Sequence, residues 1–176
     1  MKTNYKKAIK NLIKTSEADR LFYCKIENTR CYFVTDGRCV ITVPELDFED
    51  IHTYSKVSLI ENPNVFKTME DIKKNKSSVY ATKTSMLLEY DNYNDIKTLR
   101  VYKLDNGDLV PVNNTYVEVV KNTIYQDNTE YCVGLNTKTA INYIDADANG
   151  NVIGGYAILP INFDVKSKFE YMLGLQ

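Results

Sequence analysis

The chain has no tryptophan, one histidine, and only seven glycines and four prolines in 176 residues. Each scarcity excludes something. With His52 as the sole histidine, any imidazole dyad, triad or metal cluster hangs on that one residue. The glycines build no phosphate cradle of either nucleotide-binding type, because Gly154-Gly155 falls inside an apolar strand pattern and not ahead of a helix. Nucleotide-dependent catalysis is disfavoured accordingly. No apolar run approaches the length of a membrane span, and the opening MKTNYKKAIKNLIKTSEADR lacks the apolar core of a signal peptide. A soluble, cytoplasmic protein is expected. The four cysteines, Cys24, Cys31, Cys39 and Cys132, include no CxxC pair and sit in alternating apolar patterns, so they are expected to be reduced strand residues, with no zinc or other metal and no cofactor. The net charge of −1 gives the chain as a whole neither attraction to nucleic acid nor strong repulsion from it.

What is present is enough apolar content, 44%, to fill a core without staples. Tyr5, Ala8, Ile9, Leu12 and Ile13 recur at helical spacing and predict a helix from Asn4 to Lys14, with Lys6, Lys7, Lys10 and Lys14 on its other face. Strands are predicted over 21–26, 30–35 and 38–43, the last two joined at Asp36-Gly37 with Thr35 opposite Arg38 and Val34 opposite Cys39. Pro44, which has no N–H, should end that ladder. Asn62 and Pro63 predict the start of a helix running to Lys74. Strands over 78–90, 98–104 and 109–112 follow, with a loop at 91–95 and a turn at 105–108. A helix from Asn113 or Asn114 to Ile124 and strands over 130–135, 139–145 and 151–159 complete the pattern. Phe169, Met172 and Leu173 suit a last helical turn, and 163–176 is otherwise a disordered or partner-docking end.

The fold class is therefore α+β: a mainly antiparallel sheet backed by two or three short helices. A pattern also recurs. Helix, Tyr-Cys strand, hairpin, apolar-Pro and Phe occur from Asn4 through Tyr23-Cys24 and Val43-Pro44 to Phe48, and again from Asn113 through Tyr131-Cys132 and Leu159-Pro160 to Phe163. This predicts one domain of two similar halves, 4–48 and 113–163, with 62–112 inserted. The doubled unit resembles one domain of the DNA sliding clamp, in which two such units share a helix-backed sheet, and Tyr156-Ala-Ile-Leu-Pro160-Ile161 is similar to the apolar-Pro close of bacterial clamp chains. The resemblance carries over no functional clamp residue; the alternative it opens is an oligomeric, DNA-associated accessory factor in which Lys6, Lys7, Lys10 and Lys14 touch phosphate. A ring, however, needs several domains and a basic inner wall, and only the first helix here is lysine-rich.

Two motifs bear on chemistry. Asp145, Asp147, Asn149 and Gly150 match the first half of a calcium loop, but Tyr156 stands where the bidentate Glu belongs, and turn chemistry explains the same residues. A histidine in a surface loop accounts for His52 beside Asp47, Glu49 and Asp50; a hydrolase is the minor alternative, for which no pattern supplies a nucleophile. Binding fits better than catalysis. Glu45, Asp47, Glu49 and Asp50 form a compact acidic run, and Tyr90 and Tyr93 lie in an Asp- and Asn-rich loop suited to present aromatic anchors. The Asn-, Lys-, Ile- and Tyr-rich composition suits an AT-rich genome, such as a low-GC bacterium or its phage. The expectation is a non-catalytic, monomeric or homodimeric binding protein of phage-like or mobile-element origin. It would dock its acids into the basic groove of a nucleic-acid-processing protein, as an anti-CRISPR-like inhibitor of a host defence nuclease does.

Overall fold

In a computed structural model, which describes residues 3–16, 20–54, 58–64, 78–92, 95–121, 123–124, 130–133 and 140–172, the first helix forms where its sequence predicts. Asn4 caps α1 (Tyr5–Ser16) by accepting the Lys7 N–H at 2.9 Å, and the helix buries Tyr5, Ala8, Ile9 and Leu12. β1 (Arg20–Lys25), β2 (Cys31–Thr35) and β3 (Cys39–Pro44) follow as an antiparallel meander.

The β2–β3 register differs from expectation by two residues: Thr35 faces Val40 and Val34 faces Ile41. Side-chain bonds explain the longer turn. Asp36 Oδ1 accepts the N–H groups of Arg38 and Cys39, both at 2.9 Å, while Thr35 Oγ1 accepts the Gly37 N–H and donates to the Cys39 carbonyl at 2.8 Å. These bonds hold four residues in the turn, with Gly37 at φ +92°. An even shift keeps the same residues on each face of the sheet.

Pro44 ends β3 as expected, but the segment after it is not a loop. It forms α2 (Glu45–Tyr54), with Phe48 and Ile51 turned inward. β4 (Ser58–Glu61) then pairs parallel with β1. Asn62 Oδ1 accepts the Asn64 N–H at 3.1 Å, the bond of a helix cap; the rest of the helix predicted to Lys74 lies outside the described residues.

β5 (Ser78–Asn92) and β6 (Asp95–Leu104) form a hairpin paired out to Asn92 and Asp95, so most of the loop predicted at 91–95 is strand. A register shift between Lys83 and Leu87 is held by Thr84, whose Oγ1 donates to the Val101 carbonyl at 2.7 Å, and by Arg100, which donates to the Thr84 carbonyl at 3.0 Å. β7 (Leu109–Asn113) runs into α3 (Asn114–Lys121), where Asn113 is the cap and accepts the Thr115 N–H at 3.0 Å. α3 buries Tyr116, Val117, Val119 and Val120. After β8 (Glu130–Val133), β9 (Ile141–Ala146) and β10 (Val152–Ile158) comes α4 (Val165–Met172), capped by Asp164 through a 3.0 Å bond from the Ser167 N–H. Val165 is buried, so a docked helix stands where a disordered end was the alternative.

The ten strands of the described residues form one sheet in the order β4-β1-β2-β3-β10-β9-β8-β5-β6-β7, antiparallel except at β4–β1. The meanders β1-β2-β3 and β10-β9-β8 thus meet in mirrored order at the β3–β10 pairing. Past β10, Pro160 bridges Val112, and the Ile161 N–H donates to the Pro111 carbonyl at 2.8 Å, so the path from β10 through β6 to β7 closes on itself. α1 packs on α3 and α2 on β2 and β3. The main core fills the face under these helices and includes Ile9, Leu12, Val34, Ile41, Tyr102, Val117 and Ile158. Alternation along the strands sends Cys24, Cys31, Phe33, Val40 and Ala157 to a second cluster on the opposite face. Cys24, Cys31 and Cys39 are buried thiols, and burial pushes the Cys39 thiol well up from its ordinary value. A thiol held protonated and covered should react with an aromatic disulfide reagent only as fast as the protein unfolds, a rate that a stopped-flow assay in rising urea would reveal.

Candidate docking cleft at the start of the second helix

The predicted acids divide between two jobs. Glu45 accepts from Lys25 Nζ at 2.8 Å, and this hydrogen bond holds its carboxyl below the ordinary range. Asp50 pairs with Lys6 on α1, so the basic and acidic faces meet inside one chain. Glu49 is exposed, and Asp47 is half-buried on the side where α2 approaches β10. Phe48, between them, stacks on Tyr32 with ring centroids 4.0 Å apart and 11° between planes, and Lys25 Nζ stands 5.7 Å from the Tyr32 centroid.

His52 belongs to the same aromatic cluster, on helix α2 where a loop was expected. Its ring stacks on Phe48 at 5.8 Å and meets Tyr23 edge-on at 6.0 Å. Among the described residues no hydroxyl is hydrogen-bonded to it. Tyr90 is in β5, not in a loop: it is half-buried and meets Phe163 edge-on at 5.4 Å, within an apolar cluster that also holds Leu88, Leu99 and Val165. Three strands, β10, β9 and β8, separate β5 from β3, so Tyr90 is not brought to the acids. Tyr93 lies outside the described residues.

Asp147 is spent on its own turn. Its carboxylate accepts the N–H groups of Asn149 at 2.8 Å and Asn151 at 2.9 Å and the Asn151 side-chain amide at 3.0 Å, with Gly150 at φ +79°. The bonds to Asn151 and Asn149 draw its pKa down. Among the described residues no three His, Cys, Asp or Glu side chains are grouped to hold a metal ion.

Where the first turn of α2 faces β9 and β10, a cleft of about 550 Å³ opens, lined by Tyr5, Arg30, Cys31, Glu45, Asp47 and Asp145 with Leu46 and Ile153 at its lips. Leu46 is 80% exposed, an unusual position for a leucine between two acids, and Ile153 is 42% exposed. Local structure creates both. Phe48 and Ile51 claim the inward face of α2, which turns Leu46 outward. A register shift between Val152 and Gly154 sets Ile153 in a bulge of β10. The bulge is packed from below: Tyr5 lies so close over Gly154 that a Cβ there would fall on the phenol. Cys31 Sγ donates to the Val152 carbonyl at 3.3 Å and closes the floor. Of these residues the sequence pointed to Glu45 and Asp47 as docking acids and to Asp145 only as part of a calcium-like turn. The signal for the rest was the Phe48–Ile51 spacing, which marks a helix and leaves Leu46 off its apolar stripe.

Tyr5 and Tyr116 have phenols pushed up from the ordinary value of 10.0, first by burial; acidic neighbours add to it, Asp145 for Tyr5 and a 2.7 Å hydrogen bond to Asp36 for Tyr116. A raised folded-state pKa means stability is fully present below the unfolded-state value and falls as pH rises beyond it. Unfolding free energy should thus begin to decline at about pH 9, where an unfolded thiol ionises and buried Cys39 does not, and decline further above about pH 10 as unfolded tyrosines ionise, with a shallower decline above about pH 10 in Tyr5→Phe. Chemical denaturation across that range checks it.

No helix among the described residues is long and apolar enough to cross a membrane. Comparison with protein-family models, curated proteins and solved structures found no match.

Proposed function

We propose that this chain is a non-catalytic binding protein that docks onto a nucleic-acid-processing protein in the cytoplasm, and that the cleft at the start of α2 is where it docks. The observation that carries this reading is Leu46, an apolar side chain held out by a helix between Glu45 and Asp47 and paired across the cleft with Ile153. An apolar anchor ringed by acids complements a basic surface, and such surfaces are what nucleic-acid-processing proteins offer to phosphate. Inhibition of an RNA-guided defence nuclease by a phage-like or mobile-element protein is the concrete form. The test is target-DNA cleavage by a panel of RNA-guided nucleases with and without the protein. Leu46→Asp should leave the melting temperature within about 2 °C of the parent, since an exposed side chain contributes little to the fold, yet weaken docking at least roughly tenfold. Unimpaired cleavage across the panel, with no binding to any effector complex, would remove the nuclease form.

A second reading keeps a specific support. The mirrored meeting of β1-β2-β3 with β10-β9-β8, and the packing of α1 on α3, are what a duplicated, clamp-like unit requires. Lys7, Lys10 and Lys14 are exposed on α1, so phosphate contact is open to them. Light scattering coupled to size-exclusion chromatography separates the two. A ring-sized species that co-elutes with duplex DNA and dissociates steeply with salt belongs to the clamp reading, and a monomer or dimer indifferent to DNA belongs to the docking one.

A further inference from the structure

We infer that the cleft seats one cationic side chain, an arginine or a lysine flanked by apolar residues in a basic segment of the partner. The inference rests on the docking reading and adds what the cleft recognises. Three observations support it. Tyr5 is only 6% exposed, and its hydroxyl makes no hydrogen bond to any described residue. No buried side-chain oxygen or nitrogen among the described residues lacks a partner, so this hydroxyl opens onto the cleft it lines.

The charges around it are unequal in depth. Asp47 and Asp145 are half-buried, whereas Arg30, the cation of the lining, is exposed at the rim. Glu45 is engaged by Lys25, which leaves Asp47 and Asp145 as the acids nearest the phenol, and both act electrostatically on it. The deep part of the cleft is therefore negative and its lips, Leu46 and Ile153, apolar. A guanidinium or ammonium on a flexible stem matches this order: the charged head meets Asp47, Asp145 and the Tyr5 oxygen, while the methylenes and flanking side chains cover Leu46 and Ile153.

The test uses the whole chain, methyl-labelled at leucine and isoleucine, and two probes: acetyl-Leu-Arg-Leu-amide and its neutral isostere with citrulline in place of arginine. The arginine probe should shift the Leu46 and Ile153 methyl signals and bind roughly tenfold tighter than the citrulline probe, as loss of a charge-assisted bond implies. Asp145→Asn should lower the affinity for the arginine probe by a similar factor and leave the citrulline probe unaffected. Tyr5→Phe, which retains the buried ring, should weaken the arginine probe alone. If both probes bind equally, or Asp145→Asn changes nothing, the cation seat is overturned while the docking cleft stands. If neither probe moves the two methyl signals, the docking reading falls with it.

Discussion

Asp36→Ala is expected to lower the unfolding free energy by about 3 kcal/mol, because one carboxylate anchors groups from both ends of the chain and leaves them without partners when removed. Its Oδ1 accepts the N–H groups of Arg38 and Cys39 in the β2–β3 turn, and its Oδ2 accepts the Tyr116 hydroxyl of α3 at 2.7 Å. Cys39 is fully buried, so its amide cannot exchange the lost bond for water. Tyr116→Phe removes only the last of the three bonds and should cost about 1 kcal/mol. Asp36→Asn keeps an acceptor toward the turn and should fall between the two. Urea unfolding with unchanged slope reads the difference directly. A loss in Asp36→Ala no larger than that of Tyr116→Phe would show that the turn bonds contribute nothing, and the account of the shifted register would go with them.

The second large effect belongs to Gly154→Ala, expected to cost about 2 kcal/mol through overpacking. Tyr5 lies where the new methyl must go. A tyrosine tip in solvent would swing aside, but this ring is buried among Ala8, Tyr143, Tyr156 and the rest of the main core. Either α1 lifts from the sheet or the β10 bulge moves. The collision is pairwise, so in a cycle with Tyr5→Leu the two losses should be strongly non-additive, the double variant being more stable than their sum implies. Additive losses would place the strain elsewhere in β10. Movement of the bulge would also shift Ile153, so Gly154→Ala should weaken docking at the cleft where Asp36→Ala does not.

Much of the fold was legible because periodicity carries it. The lysine-backed stripe of α1, the strands of the β1-β2-β3 and β8-β9-β10 meanders, the cap at Asn62 and that at Asn113 or Asn114 are local signals, decided within a few residues. The failures have local competitors. At Asp36-Gly37 the dipeptide favours a two-residue hairpin, yet the Asp36 and Thr35 side chains bond the backbone further on and lengthen the turn. In 45–54, the acids and a lone histidine masked a helix whose apolar face is little more than Phe48 and Ile51. Asp91 and Asn92 carry turn chemistry, but cross-strand pairing with Ile96 and Asp95 holds them in the ladder.

The candidate site was half legible. Glu45 and Asp47 stood out as charge, and charge needs no folding to be noticed. Asp145 stood out only as part of a calcium-like turn, and Tyr5 and Ile153 not as site residues, because the three lie 40 to 108 positions away in the chain and come together only where α1 and α2 meet the bulged end of β10. Tyr90 shows the converse. Its sequence neighbours are polar, and its environment is set by Phe163, a residue that reaches it after β10 has crossed the sheet.

Residue type and spacing alone establish that the chain is α+β, which faces of α1 and α3 turn inward, and that the sequence holds one histidine and no glycine-rich nucleotide-binding motif. Those properties follow from residue type and from spacings of two and three to four residues. Only the folded structure settles that the acidic and basic faces pair through Lys6 and Asp50 and that Leu46 and Ile153 frame one cleft over Tyr5. Each depends on long-range register and packing, where a single buried contact such as Tyr5 on Gly154 selects among arrangements that local preference leaves equally open.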